Sequence, residues 1–108
     1  GGTIFLTDIE KTLEKCNVVD KCLVVNFYNI KKNNILIAYF ILKKQYKYKI
    51  DSSLRLLKLF ALKNLNNYQL PLDFKILKDL PVNSLGKISK RFIKESVDKK
   101  ITDFYKKL

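Results

Sequence analysis

Histidine is absent from this chain, and cysteine occurs only at Cys16 and Cys22. Structural zinc sites take four ligands from those two residue types. Two thiols with no histidine do not supply them, so no metal site is expected. Both thiols are expected to be reduced and structural. Arginine is scarce as well: Arg55 and Arg91 are the only two among 22 basic residues. Base-edge readers and bidentate phosphate clamps rely on the planar guanidinium. A net charge of +12 invites anionic partners in general, but the scarcity of arginine gives no sign of a specific nucleic-acid partner. Lysine here accompanies abundant asparagine and isoleucine, a bias that AT-rich coding produces by itself, so the charge is mainly background. No run of 18 apolar residues occurs, so no membrane span is expected. No charged-then-apolar leader opens the chain, and a cytoplasmic protein is the expectation. Internal repeats, linkers and low-complexity tracts are also missing.

The chain has 108 residues, 47% of them apolar. That is one domain with one modest core. Gly1 to Phe5 reads as short and extended. Thr7 or Asp8 can cap a first helix, with Ile9, Leu13 and Cys16 on its apolar face and Asn17 at its end. The Val-, Leu- and Phe-rich run from Lys21 to Tyr28 predicts a buried strand. A polar turn follows, and Asn34 to Leu42 predicts a second strand buried on both faces. The short connection makes the two antiparallel. Lys43 to Lys49 is basic and aromatic, a pattern that suits single-stranded nucleic acid but that an exposed loop with tyrosines over the domain edge explains more simply. Asp51 or Ser52 can cap the next helix, whose core stripe is Leu54, Leu57, Phe60, Ala61 and Leu65. Asn66 and Asn67 end it. Phe74 to Leu77 predicts a third strand. Ser89 can cap a last helix with Phe92, Ile93 and Val97 on one side; Ile101, Phe104, Tyr105 and Leu108 continue it or form another. The fold class is α+β: a small three-stranded mixed sheet covered by about three helices.

One stretch exceeds what a globular core requires: Leu80-Pro-Val-Asn-Ser-Leu-Gly-Lys-Ile-Ser-Lys-Arg91. Pro81 has a fixed φ and no amide donor, so it ends the preceding apolar run. Gly86 tolerates positive φ and permits a sharp turn that aims Lys87 away from the body. A phosphate-binding P-loop is excluded, because its first glycine and the Ser/Thr after the lysine are missing.

Pro, four residues, Gly-Lys-Ile and a basic pair, directly after a strand, resemble the C-terminal signature loop of the adenylate-forming ligases: acyl-CoA synthetases, luciferases and peptide-synthetase adenylation domains. The resemblance extends over about residues 1 to 92. Gly1-Gly2-Thr3-Ile4 and Ile9-Glu10 match the family's Gly-x-Arg-Ile strand and the Ile-Glu that opens its first helix. Val19 to Val25, Ala38 to Lys43, Tyr68 with Pro71, and Phe74 match the elements that follow, in order. Thr3 stands where arginine is common, Asn66 where proline is, and Lys90 for a frequent arginine.

The resemblance implies that residues 1–108 are the C-terminal lid subdomain of a larger ligase. ATP with Mg and the carboxylic acid would be bound mainly by a large N-terminal domain outside this chain. That domain would be the lid's partner, together with CoA or an acidic carrier protein bearing phosphopantetheine as thiol acceptor. Lys87 would be the catalytic cation. Gly86 would allow close approach to the nucleotide, and Ser89, Lys90 and Arg91 would hold the loop or contact phosphate. Gly2, Thr3 and Ile4 would lie near the thiol acceptor. The isolated chain would be inactive. Asn83-Ser84-Leu85 before Gly-Lys resembles acyl-CoA synthetases more than amino-acid-activating members. Two other functions fit part of the sequence. One is a freestanding basic nucleic-acid module using Lys43 to Lys49 and the Lys99 to Lys107 tail. The other is a non-catalytic carrier-docking domain.

Overall fold

A computed structural model describes residues 4–28, 31, 33–96, 104 and 107. Its helices are α1 (Leu6–Leu13), α2 (Ile50–Asn64) and α3 (Lys90–Ser96), and its strands β1 (Val19–Asn26), β2 (Leu36–Leu42) and β3 (Asp73–Leu77). The strand order is β1-β2-β3. β1 pairs antiparallel with β2, as the short connection requires, and β3 joins β2 in parallel. A parallel neighbour needs a crossover, and α2 provides it. The expected mixed three-stranded α+β sheet is what forms.

Period-two alternation divides the sheet's side chains between two cores. Cys22, Val24, Leu36, Ala38 and Phe40 face one way and pack with Ile9 and Leu13 of α1 and Leu57 and Ala61 of α2. Leu23, Val25, Ile37 and Tyr39 face the other way and pack with Ile93 of α3. The layers are therefore α1 and α2, the sheet, and α3. All of β2 is buried, as its unbroken apolar run predicts. Phe40 stacks on Phe74 with ring centroids 5.7 Å apart, which ties β2 to β3.

Element starts differ from the sequence reading. Thr7 and Asp8 lie inside α1, which begins at Leu6 with Phe5 at the N-cap and no side-chain cap. Leu6 packs against the core, and its burial draws the helix start forward; Asp8 then interacts favourably with the helix dipole from the first turn. α2 begins at Ile50, ahead of both expected caps, and the Ser52 hydroxyl donates to the Lys49 carbonyl. β1 runs from Val19 to Asn26, displaced from the expected span, with a register irregularity between Val19 and Lys21. β2 starts at Leu36 because Asn34 is used otherwise: the Asn26 carboxamide donates to Asn34 at 2.7 Å and latches the hairpin end. Cys16 lies past the end of α1 but is buried, and both thiols are free. Asn66 closes a short 3₁₀ turn by donating its amide to Gln69 Oε1. Tyr46 lies over the domain edge as expected, whereas Tyr48 is fully exposed.

β1 is an edge strand, and edges invite pairing with other chains. Here α1 covers it. The Cys22 amide donates to Glu14 and the Val24 amide to Glu10, at 3.1 and 2.8 Å. Residues four apart on a helix rise about 6 Å, and residues two apart on a strand about 6.7 Å. That match lets one helix face supply acceptors to alternate strand amides. Lys21 adds a looser ion pair to Glu14 at 3.7 Å.

Candidate functional site

After β3 the chain passes Pro81, which is buried, and enters a miniature hairpin. Val82 and Ile88 form an antiparallel bridge. The Asn83 amide donates to the Lys87 carbonyl at 2.9 Å, and the Gly86 amide donates to the Asn83 carbonyl at 2.9 Å. Gly86 has φ = 78°. Such a pattern is a tight turn followed by a left-handed residue, the usual three-residue hairpin connection. A Cβ at Gly86 would meet nothing within 4 Å. Within this chain, glycine therefore serves the backbone conformation.

Asn83 organises the loop, a role the sequence reading did not give it. Its side-chain oxygen accepts from the amides of Leu85 at 2.9 Å and Lys87 at 3.1 Å. Asparagine ahead of a glycine turn is the available signal, since its side chain commonly accepts from amides two residues on. The result is a hydrogen-bonded tip with Lys87 exposed, as expected from Gly86.

Ser89 closes the base. Its amide donates to the Pro81 carbonyl at 2.9 Å, and its hydroxyl accepts from the Phe92 amide at 3.1 Å. The second bond is the helix cap expected of Ser89. Ile93 is fully buried, but Phe92 stays largely exposed, so the buried side of α3 is narrower than expected. Lys90 reaches across the sheet edge to Glu10 of α1, Nζ to Oε2, at 2.9 Å. Arg91 is exposed at the foot of the loop. The residues expected around the loop, Gly86, Lys87, Ser89, Lys90 and Arg91, thus form one hairpin and its helix start. Glu10 joins them across the fold.

Of the expected thiol-acceptor residues, Ile4 alone lies among the described residues. Gly2 and Thr3 lie outside the described residues, as do Val97, Ile101 and most of the lysine-rich tail. Ile4 packs into the α1–α2 core, while α3 belongs to the other. It lines a shallow recess with Tyr68, Leu70 and Leu72. Among the described residues, no three metal-ligating side chains gather. The loop carries a lysine and no carboxylate set, so its donor chemistry does not fit a Mg site. No helix of the described residues is long and apolar enough to cross a membrane.

No family model matches the sequence, and no curated protein matches it. Solved structures do. An acyl-CoA synthetase from Brucella canis aligns with 94% of this chain and 18% of its own, at 24% identity and a TM-score of 0.74. MatB from Rhodopseudomonas palustris aligns with 97% of this chain and 19% of its own, at 19% identity and a TM-score of 0.73. The amide bond synthetase McbA from Marinactinospora thermotolerans aligns with 84% and 18%, at 16% identity and a TM-score of 0.70. These proteins are adenylate-forming ligases, and this chain has the fold of their C-terminal subdomain. It spans under a fifth of their length.

Proposed function

We propose that this chain is the lid subdomain of an ATP-dependent, AMP-forming ligase that activates a carboxylic acid and passes it to a thiol. The observation that carries this reading is Lys87, exposed at the tip of a hairpin ordered by Asn83 and Gly86. In the first half-reaction the carboxylate attacks the α-phosphorus of ATP, forming an acyl-adenylate and releasing pyrophosphate. Two anions must meet, and negative charge builds in the transition state. A preorganised ammonium offsets both. Lysine suits a mobile lid because its long stem carries a compact charge. In the second half the lid swings, and the thiol of CoA or of a carrier protein's phosphopantetheine attacks the acyl carbon and expels AMP. Gly2, with Thr3 and Ile4, is the segment we assign to that step. ATP with Mg and the acid belong to the N-terminal domain. Two free buried thiols suit a reducing compartment such as the cytoplasm.

The test uses the longer enzyme with Lys87→Ala. Pyrophosphate release from ATP and acid should slow by about two to four orders of magnitude. Transfer from chemically made acyl-adenylate to the thiol should continue. If both halves fail equally, the lid does not alternate faces. If neither changes, Lys87 is an ordinary surface lysine and the chain is a docking domain.

A nucleic-acid module finds support in Tyr48, fully exposed between Lys47 and Lys49. Under that reading, retention on single-stranded nucleic acid would survive physiological salt. The lid reading expects retention only at low salt, through counterion release.

A further inference from the structure

Residues 82–88 are all exposed, so burial does not hold the tip of the hairpin. Its direction depends on its two ends. The incoming end has buried Pro81, whose carbonyl accepts the Ser89 amide. The outgoing end has Ile93, fully buried against the sheet. Ile93 and Lys94, whose ammonium lies 5.7 Å from the centroid of the Phe27 ring, seat the helix on the sheet three and four residues past its start, through contacts less directional than a short ion pair. A second fixed point exists at the Lys90–Glu10 pair.

Glu10 is unusually well placed to be that point. It lies on α1 between Ile9 and Leu13, both fully buried. Its side chain is 13% exposed, and the oxygen that meets Lys90 at 2.9 Å also accepts the Val24 amide at 2.8 Å. A backbone amide thus orients the carboxylate before any lysine arrives. Charge-assisted bonds of this length are directional and strong. Glu14, the neighbouring carboxylate, has the same backbone arrangement with Cys22, but its lysine is at 3.7 Å and belongs to β1 itself. Glu10, by contrast, links the body of the domain to the foot of the loop through Lys90.

We infer that Glu10, acting through Lys90, is the positioning residue that sets the direction of the Lys87 hairpin. This rests on the ligase reading for its catalytic meaning, but the mechanical link stands on the geometry alone. Glu10 touches no reacting group; it acts by holding Lys90, which begins α3 three residues beyond Lys87.

Three substitutions test it. Glu10→Gln keeps an acceptor for the Val24 amide and removes the charge. Lys90→Met keeps the stem and removes the cation. Lys90→Arg keeps the cation. In the 108-residue chain, amide exchange at Ser89 should accelerate about tenfold or more in the first two and stay near normal in the third. Exchange at Tyr39 in the central strand should not change, which reports an intact fold. The double variant Glu10→Gln with Lys90→Met should match either single one, since both remove one interaction. In the longer enzyme, kcat for pyrophosphate release should fall about tenfold in the first two, with KM for ATP and acid nearly constant. Lys90→Arg should rescue it. Unchanged Ser89 exchange in Glu10→Gln overturns the link. Faster exchange with normal kcat, while Lys87→Ala is slow, overturns the positioning role and leaves the ligase reading intact. A harmless Lys87→Ala removes the ligase reading and the positioning role with it.

Discussion

β2 and the Lys87 hairpin are opposites. Every residue of β2 is buried, each face against a different core. Every residue from 82 to 88 is exposed. The strand is fixed by apolar packing on both sides and by ladders to two neighbours. The hairpin is fixed by hydrogen bonds within itself and by its foot. Stability resides in the strand, and the proposed chemistry is assigned to the hairpin, so a substitution in one should leave the other's property nearly untouched.

The largest expected effect breaks that comparison on the functional side. Lys87→Ala should remove two to four orders of magnitude of adenylation, as set out above, with no measurable change in the chain's denaturant midpoint. A clear loss of stability would mean the hairpin carries part of the fold. On the structural side, Leu57→Ala deletes a fully buried side chain between α2 and the sheet. Such truncations cost about 2–5 kcal/mol, a large fraction of a small domain's stability. Urea unfolding measures it; a cost below about 1 kcal/mol would show that this core tolerates voids.

Gly86→Ala probes the boundary between the two regions. A side chain at φ = 78° costs about 1–2 kcal/mol of backbone strain. Because that strain lies in the hairpin, adenylation should suffer more than the unfolding midpoint. A steady rate with a lowered midpoint would contradict this.

Cys22 gives a smaller, pH-dependent effect. Burial pushes its thiol pKa up, and the carboxylates of Glu10 and Glu14 push it further, against a weaker opposing effect of Lys90 and Lys21. An unfolded thiol ionises near pH ~8.5. Above that pH the unfolded chain releases a proton that the native chain retains, so stability falls as pH rises. The slope is about 1.4 kcal/mol per pH unit. Below it the thiol contributes no slope. Cys22→Ala should flatten the difference in stability between pH 8 and 9.5; an unchanged slope would mean another group is responsible.

Ser53 gives the smallest effect. It is buried on the core side of α2, and its hydroxyl has no hydrogen-bond partner among the described residues. Ser53→Ala should be neutral or stabilise by about 1 kcal/mol. A loss of stability would reveal a partner for that hydroxyl.

Much of this was legible in the sequence. The unbroken run from Leu36 to Leu42 announced a strand buried on both faces, because only a central strand needs apolar side chains at odd and even positions alike. Gly86 and Ser89 announced the turn and the helix cap, since each acts on backbone groups within a few residues of itself. Helix starts were less legible. Thr7, Asp8, Asp51 and Ser52 are all competent caps, but a helix begins where its first apolar side chain finds a core, and Leu6 found one.

The sequence by itself determined the element order, the antiparallel pairing of β1 with β2, the sharp turn at Gly86 and its exposed lysine, because these follow from periodicity and turn chemistry over short spans. Only the tertiary structure decided which charges meet. Two carboxylates on α1 satisfy the edge amides of β1, and one of them holds Lys90 from the far end of the chain. Among so many lysines, no local pattern marks Lys90 for Glu10. Their contact exists because α1 and α3 pack on opposite faces of one edge strand and reach each other around it.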